Sequence, residues 1–184
     1  MKKLLVAGLL AICFSASAEK VPPSFSDFQV DNLHFAYQFG EQFSKDGKFK
    51  TPSSRYDNSG LGYIMAGLVW QESSAGTILK GKNGHKAYGM FQNYLPTLRS
   101  RVDKLGWKMT DQQIINSVKK RENSATWAYV ELSYWLEVHK GDMRKALSSY
   151  NAGWNVKAGN RYAQEVLDKA NYLKSNKLLH VTVE

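Results

Sequence analysis

The hydrophobic positions of the chain recur mostly at intervals of three and four residues, the spacing of an amphipathic helix. This spacing predicts an aromatic-rich helix over about 31–43, a second helix over about 61–74 and a longer one over about 123–139. Alternation of apolar and polar residues, which marks a strand, is nearly absent apart from a short pairing expected within 77–92. The pattern therefore predicts a mainly α fold with at most a short β element.

Capping and turn residues set the ends of several predicted helices. Thr110 and Gln113 form a Thr-x-x-Gln capping box. Asp142 and Asn160 can cap the last two helices, because a short polar side chain accepts a hydrogen bond from the free backbone N–H groups of the first turn. Gly76 is expected to supply the left-handed residue that ends the second helix.

The N-terminal residues have the three-part layout of a secretory signal. Residues 1–18 carry two lysines directly after Met1, continue with an apolar stretch and end in small residues. The apolar stretch is too short to span a bilayer, so we expect an exported protein, periplasmic or secreted, without stable membrane insertion. Cys13, the lone cysteine, lies inside this segment, and the bulky Ile12 before it disfavours lipid attachment there. Removal of the signal leaves no cysteine for a disulfide.

The remaining residues are enough for one domain of ordinary size. We divide them into an N-terminal lead-in with one helix at 19–58, a single helical domain at 59–175 and a tail at 176–184. The formal charge of +9 falls to +7 when Lys2 and Lys3 leave with the signal. A basic surface suits an anionic polymer or a membrane surface, but export and the scatter of the basic residues argue against nucleic acid.

Glu72 is the carboxyl that the helical pattern marks out. At about 100° per residue, it shares the face of the second helix with Leu61, Met65 and Leu68. Loss of hydration on that face, close to the C-terminal end of the helix, would raise its pKa towards the range of a proton donor. The alternative is an acid that turns to solvent or pairs with a lysine.

A metal site is not predicted. The four histidines are far apart in the sequence and show no ligand-like spacing: His34, His85, His139 and His180. We therefore expect neither a metal nor another cofactor.

Three short segments occur in order along the chain, and the first of them contains Glu72. They are Glu72-Ser73, then 87–92 (Ala-Tyr-Gly-Met-Phe-Gln), then 149–153 (Ser-Tyr-Asn-Ala-Gly). Together they resemble the signature of soluble-type lytic transglycosylases, whose usual wording is Glu-Ser, Gly-Leu-Met-Gln and Ala-Tyr-Asn-Ala-Gly. The resemblance covers about 60–167. It implies a single lysozyme-like helical domain, like that of goose-type lysozymes, with 59–175 as the catalytic domain.

The resemblance also implies roles for individual residues. Glu72 matches the single catalytic acid, Gln92 a glutamine that lines the sugar cleft, and Tyr150 a tyrosine that hydrogen-bonds around the acid. Asn151 matches the residue that follows this tyrosine in the family, and the alternative is a role in packing or turn geometry. Substrate binding is expected at Ser73, Tyr88, Gln92, Tyr150 and Asn151. Four aromatic residues are candidates either for the floor of sugar subsites or for the core: Tyr88, Phe91, Trp154 and Tyr162.

The implied reaction cleaves the β-1,4 bond between N-acetylmuramic acid and N-acetylglucosamine in peptidoglycan and forms 1,6-anhydromuramic ends. Most glycosidases need two carboxyl groups, but 73–102 contains no Asp or Glu, which favours a one-acid lyase. The alternatives are a hydrolytic muramidase of the same fold, with a base supplied from elsewhere, and a non-catalytic wall-binding or assembly module. We expect a monomer that acts on peptidoglycan strands, with wall turnover, secretion, conjugation or phage machinery as open settings.

Overall fold

A computed structural model describes residues 23–45, 61–81 and 83–179. Within these residues the chain forms seven helices and one two-stranded antiparallel hairpin, so the predicted mainly α fold is confirmed. The elements are α1 (Asp27–Lys45), α2 (Gly62–Ser73), β1 (Ala87–Tyr88), β2 (Asn93–Tyr94), α3 (Leu95–Lys104), α4 (Asp111–Val118), α5 (Arg121–Val138), α6 (Met143–Ala152) and α7 (Val156–Ser175).

Two hydrophobic clusters hold these elements together. The larger one joins α1, α2, α5, α6 and α7, and it includes Leu33 of α1 and Leu179 beyond α7. Parts of the predicted lead-in and tail therefore belong to the same core as the helices between them. The smaller cluster joins α3 to α4 through Leu95, Leu98, Val102, Ile114 and Val118.

The hairpin and α3 follow one another directly. In the hairpin Ala87 lies opposite Tyr94 and Tyr88 opposite Asn93, so the second strand begins just beyond the predicted range of 77–92. The hydrophobic pattern does not predict α3. Pro96 lies in its first turn, where the missing N–H of a proline costs no helical hydrogen bond.

α2 lies at the centre of the fold, packed against α1 and α7. Eight of its twelve residues are buried, as is typical of a helix surrounded by others. α2 is therefore buried on nearly all sides. The apolar residues predicted to share one face with Glu72 form only part of its buried surface. Neighbouring elements, and not a stripe along α2 itself, set the surroundings of Glu72.

Two glycines let α7 approach its neighbours closely. A Cβ placed on Gly67 of α2 would lie 2.8 Å from the carbonyl oxygen of Val166. A Cβ on Gly159 of α7 would lie 2.0 Å from the carbonyl oxygen of Ser148 on α6. Because Tyr162 lies on α7 between these two contacts, they fix its position against α2 and α6.

Two predicted caps are confirmed and one is wrong. Thr110 and Gln113 form the full capping box of α4, and the Asp142 side chain accepts a hydrogen bond from the Lys145 N–H at the start of α6. The last helix begins earlier than predicted, at Val156, and Asn155 caps it. Asn160 lies inside this helix and accepts a hydrogen bond from the Ser148 hydroxyl, 3.2 Å away.

The end of α2 also differs from the prediction. Ser74 and Ala75 already have positive φ angles of 51° and 55°, ahead of Gly76 at 89°. The left-handed cap is Ser74, whose N–H donates to the carbonyl oxygen of Trp70, and the Ala75 N–H donates to that of Val69. Such a conformation is costly for residues with a Cβ, so the surrounding contacts must hold this turn, directly after Glu72, in place.

The predicted secretory signal at 1–18, with Cys13, and the residues at 46–60 lie outside the described residues. None of the helices that the structure describes is long and apolar enough to cross a membrane.

Candidate active site

The described residues enclose a groove of about 830 Å³. Its walls are the end of α2, the loop and hairpin at 78–94, and parts of α3, α5 and α6. Four of the predicted site residues line it: Glu72, Gln92, Tyr150 and Asn151. The tertiary structure thus brings together residues from all three sequence segments.

Glu72 lies in the last turn of α2 and presents a half-buried carboxyl to this groove. Burial raises the pKa of Glu72 from its usual 4.5 to about 7, because desolvation penalises the charged form. A hydrogen bond from Tyr162 acts in the opposite direction, since it stabilises the ionised carboxylate. Glu72 can therefore carry or release a proton near neutral pH, as a general acid and base requires.

Tyr162 is the direct partner of the acid. It lies on α7 and donates its hydroxyl hydrogen to Glu72 Oε1. Burial, followed by the charge of Glu72, holds the pKa of this phenol well above 10, so it remains a donor. The sequence interpretation gave the partner role to Tyr150 and left Tyr162 among the aromatic candidates. The only sequence feature that could have indicated Tyr162 as this partner was its place among the apolar residues of the last helix.

We expect Tyr162→Phe to raise the pKa of Glu72 above about 7, because the variant loses the hydrogen bond that favours the carboxylate and keeps the burial that disfavours it. The measurement is a pH titration of the Glu72 carboxyl by carbon NMR. Tyr150→Phe is the matched control, since its hydroxyl bonds elsewhere. An unchanged or lower pKa in Tyr162→Phe would contradict the arrangement.

Tyr150 joins the third segment to the second and not directly to the acid. Its hydroxyl donates to the carbonyl oxygen of Phe91, 3.3 Å away, and its ring lies parallel to that of Tyr162, with 6.4 Å between centroids. Burial and the charges of Glu72 and Glu131 raise its pKa well above 10. Tyr150 therefore supports Tyr162 from one side and fixes the turn that carries Gln92.

Gln92 lines the groove, but its amide nitrogen is used internally. Nε2 donates to the carbonyl oxygens of Ile78 and Gly89, both 3.0 Å away, and the residue has a positive φ of 46°. These bonds hold the loop at 78–81 against the turn before β2. Its amide oxygen is the atom suited to accept a hydrogen bond from a ligand.

Two of the predicted substrate contacts do not line the groove. Ser73 is fully buried, and its hydroxyl donates to the Val69 carbonyl oxygen and accepts from the Gly76 N–H. It therefore shapes the turn after Glu72 and cannot reach a ligand from this position. Tyr88 packs against the smaller hydrophobic cluster, because its position in β1 directs it towards α3 and α4.

The other aromatic candidates have different surroundings. Phe91 is completely buried in the larger cluster, so it belongs to the core. Trp154 is 73% exposed, in the turn between α6 and α7 that follows the groove-lining residues Ala152 and Gly153. Asn151 is exposed and lines the groove directly.

Glu131 is a groove residue that the sequence interpretation missed. Its Oε2 accepts from Arg101, with 3.0 Å to Nη2, and its Oε1 accepts from the Trp135 indole nitrogen, 2.8 Å away. Arg101 also lies over the Tyr134 ring, 4.2 Å from its centroid. No spacing in the sequence connects Glu131 with Glu72, so only the packing of α3 and α5 at the groove identifies it.

The described residues contain no candidate metal site. No group of three or more His, Cys, Asp or Glu side chains is arranged there to hold an ion. The chemistry that these residues themselves offer is proton transfer at Glu72.

The chain is similar in sequence to a phage protein. No protein-family model matches the chain, and no solved structure matches it. It is 63% identical over 181 residues to a protein of Enterobacteria phage T4, described as an uncharacterized 20.7 kDa protein in the vs-regB intergenic region. The match covers 98% of each chain. The chain therefore belongs to the same family as this phage T4 protein.

Proposed function

We propose that the protein is a peptidoglycan lytic transglycosylase, a lyase that cleaves the bond between N-acetylmuramic acid and N-acetylglucosamine and leaves 1,6-anhydromuramic ends. The observation that carries the proposal is the position of Glu72 in a groove that also contains Gln92, Tyr150 and Asn151. Burial there raises the pKa of Glu72 to about 7. The order of the three segments in the sequence supports the same reading.

In the first step Glu72 is protonated and donates its proton to the glycosidic oxygen, so the bond from that oxygen to C1 of the muramic residue breaks. The acetamido group of the substrate stabilises the positive charge that develops at C1, as in substrate-assisted glycosidases. Burial of Glu72 favours its protonated starting form. The hydrogen bond from Tyr162 stabilises the carboxylate that this step produces.

In the second step the Glu72 carboxylate takes the proton of the muramic C6 hydroxyl. The C6 oxygen then bonds to C1, which closes the 1,6-anhydro ring and returns Glu72 to its protonated form. No water is consumed. The step needs a carboxyl that can both give and accept a proton at one pH, and a pKa of about 7 meets that requirement near neutrality.

The competing function is a hydrolytic muramidase, and Glu131 is the observation that favours it. Glu131 is the other carboxyl among the described groove-lining residues, and a hydrolase needs a second carboxylate to activate water or to act as nucleophile. Both of its oxygens are, however, occupied by Arg101 and Trp135. A base held in this way is poorly placed to take a proton from water, which favours the lyase.

Digestion of purified sacculi, followed by mass spectrometry of the products, tests the proposal. We expect anhydro ends, about 18 Da lighter than hydrolysed ends because no water is added. Glu131→Gln should keep the same products and retain activity within about tenfold, because its part is to position the α3 and α5 wall of the groove. Hydrolysed ends, or complete loss of activity in Glu131→Gln, would favour the muramidase.

The non-catalytic wall-binding or assembly module remains the alternative from a different class. A fold-competent protein that binds sacculi and releases no product at any pH between about 5 and 8 would support it. Among the settings considered, the phage T4 relative favours phage machinery. Export to the periplasm or the exterior is consistent with action on peptidoglycan. We expect the protein to act as a monomer.

A further inference from the structure

Trp154 is the most exposed large hydrophobic side chain in the described part of the chain, at 73%. It lies in the short turn between α6 and α7, directly after Asn151, Ala152 and Gly153, all of which line the groove. An indole that stays exposed to water does not contribute its free energy of burial, which is among the largest of any side chain. An exposed aromatic beside a groove is therefore a candidate contact for a ligand.

The position of this indole is fixed by its neighbours. Its ring packs edge to face against Trp135, with 5.1 Å between centroids and 80° between planes. Trp135 is itself buried and lines the groove, and its ring nitrogen donates to Glu131. The Gly153 N–H bonds to the Ser149 carbonyl oxygen, 2.7 Å away, which ties the turn to α6. Trp154 is thus held in place before any ligand arrives, which lowers the entropic cost of binding.

Asn151 supplies a polar group next to this surface. It is exposed, and no side-chain hydrogen bond to it is found among the described residues. Its amide can both donate and accept, which matches the acetamido and hydroxyl groups of an amino sugar. A pyranose ring offers the complementary surface, since its axial C–H groups form an apolar face that can stack on an indole.

We propose that Trp154 and Asn151 form a sugar subsite that extends the groove and binds one N-acetylhexosamine residue of the glycan strand, away from the bond that is cleaved. The inference rests on the proposed function, because it assumes that the groove holds a glycan. It adds a specific consequence: strands long enough to reach Trp154 bind more tightly than short ones.

Trp107 provides a matched comparison. It is 52% exposed, and it packs edge to face against Trp127, another groove-lining indole, with 6.3 Å between centroids. Unlike Trp154, it follows residues that do not line the groove, in the segment between α3 and α4. Both tryptophans therefore carry a similar aromatic contact, and only Trp154 continues a groove-lining stretch of chain.

Calorimetric titration with defined glycans tests the subsite. The full-length protein carries Glu72→Gln so that it does not consume the ligands, which are un-crosslinked tetrasaccharide and octasaccharide repeats of N-acetylglucosamine and N-acetylmuramic acid. Adding Trp154→Ala should weaken octasaccharide binding about tenfold, and Trp154→Phe by less than about threefold, because a phenyl ring still stacks. Trp107→Ala should leave octasaccharide binding unchanged. The tetrasaccharide should show a smaller loss than the octasaccharide in Trp154→Ala.

Circular dichroism confirms that each variant is folded before titration. Unchanged octasaccharide binding in Trp154→Ala would overturn the subsite and leave the proposed function standing, and so would an equal loss in Trp107→Ala. If the Glu72→Gln protein binds neither glycan and the unmodified protein does not cleave sacculi, the proposed function falls and the subsite with it.

Discussion

Glu72→Gln should reduce the release of peptidoglycan fragments from sacculi by about 10² to 10⁴-fold, the range expected for loss of a general acid. Glutamine has nearly the same shape as glutamic acid but cannot give a proton to the glycosidic oxygen or take one from the C6 hydroxyl. The measurement is the rate of fragment release by wild type and variant at equal concentration. Glu137→Gln, which changes an exposed acid outside the groove, should retain full activity.

The same substitution has an expected effect on stability. Because the folded state raises the pKa of Glu72 from 4.5 to about 7, wild type loses stability as the pH rises between these two values, and the penalty is complete above about 7. Glu72→Gln lacks this ionisation. Its Tm at pH 8.5 should therefore equal or exceed that of wild type. Retained turnover would remove Glu72 from its role, whereas loss of turnover together with a strongly lowered Tm would indicate unfolding.

Gly159→Ala should destabilise the protein by about 2 kcal/mol or more, although glycine to alanine in an exposed helix normally stabilises by about 1 kcal/mol. The added Cβ would lie 2.0 Å from the backbone oxygen of Ser148, so α6 and α7 would have to move apart. Overpacking of this kind costs about 1–3 kcal/mol, and occasionally more. We expect Tm to fall by about 4–8 °C in thermal unfolding followed by circular dichroism.

A nearby surface substitution serves as the control for Gly159→Ala. Lys157 is exposed on the same helix, and Lys157→Ala should change Tm by less than about 2 °C. A rise in Tm for Gly159→Ala would mean that helix propensity outweighs the contact, and it would contradict the close approach of α6 and α7. Because Tyr162 follows Gly159 by one turn, the variant should also lose activity beyond the loss explained by unfolding.

Some of the candidate site residues could be predicted from the sequence, and others could not. Glu72 and Gln92 could be predicted because short motifs carry them, and both line the groove. Ser73 shares a motif with Glu72, but the left-handed turn that begins at Ser74 encloses its hydroxyl. Motif membership places a residue near a site in the chain, and the direction of its side chain depends on the backbone around it.

Tyr162 and Glu131 show why other parts of the site could not be predicted. Tyr162 lies ninety residues from Glu72, and it reaches the carboxyl only because glycines admit α7 close to α2 and α6. Glu131 enters the groove because α5 packs beside α3, where Arg101 and Trp135 bind its two oxygens. Neither residue has a local pattern that distinguishes it from an ordinary helical aromatic or acid.

By itself the sequence determined the helical class and the capping box at Thr110, and its short motifs indicated Glu72 as the candidate acid, because helical period, capping and short motifs are local properties. Only the tertiary structure decided which phenol bonds to that carboxyl, which predicted contacts are buried, and which second acid shares the groove. These outcomes depend on contacts between distant segments, since burial and hydrogen bonding are set by neighbours in space and not by neighbours in the chain.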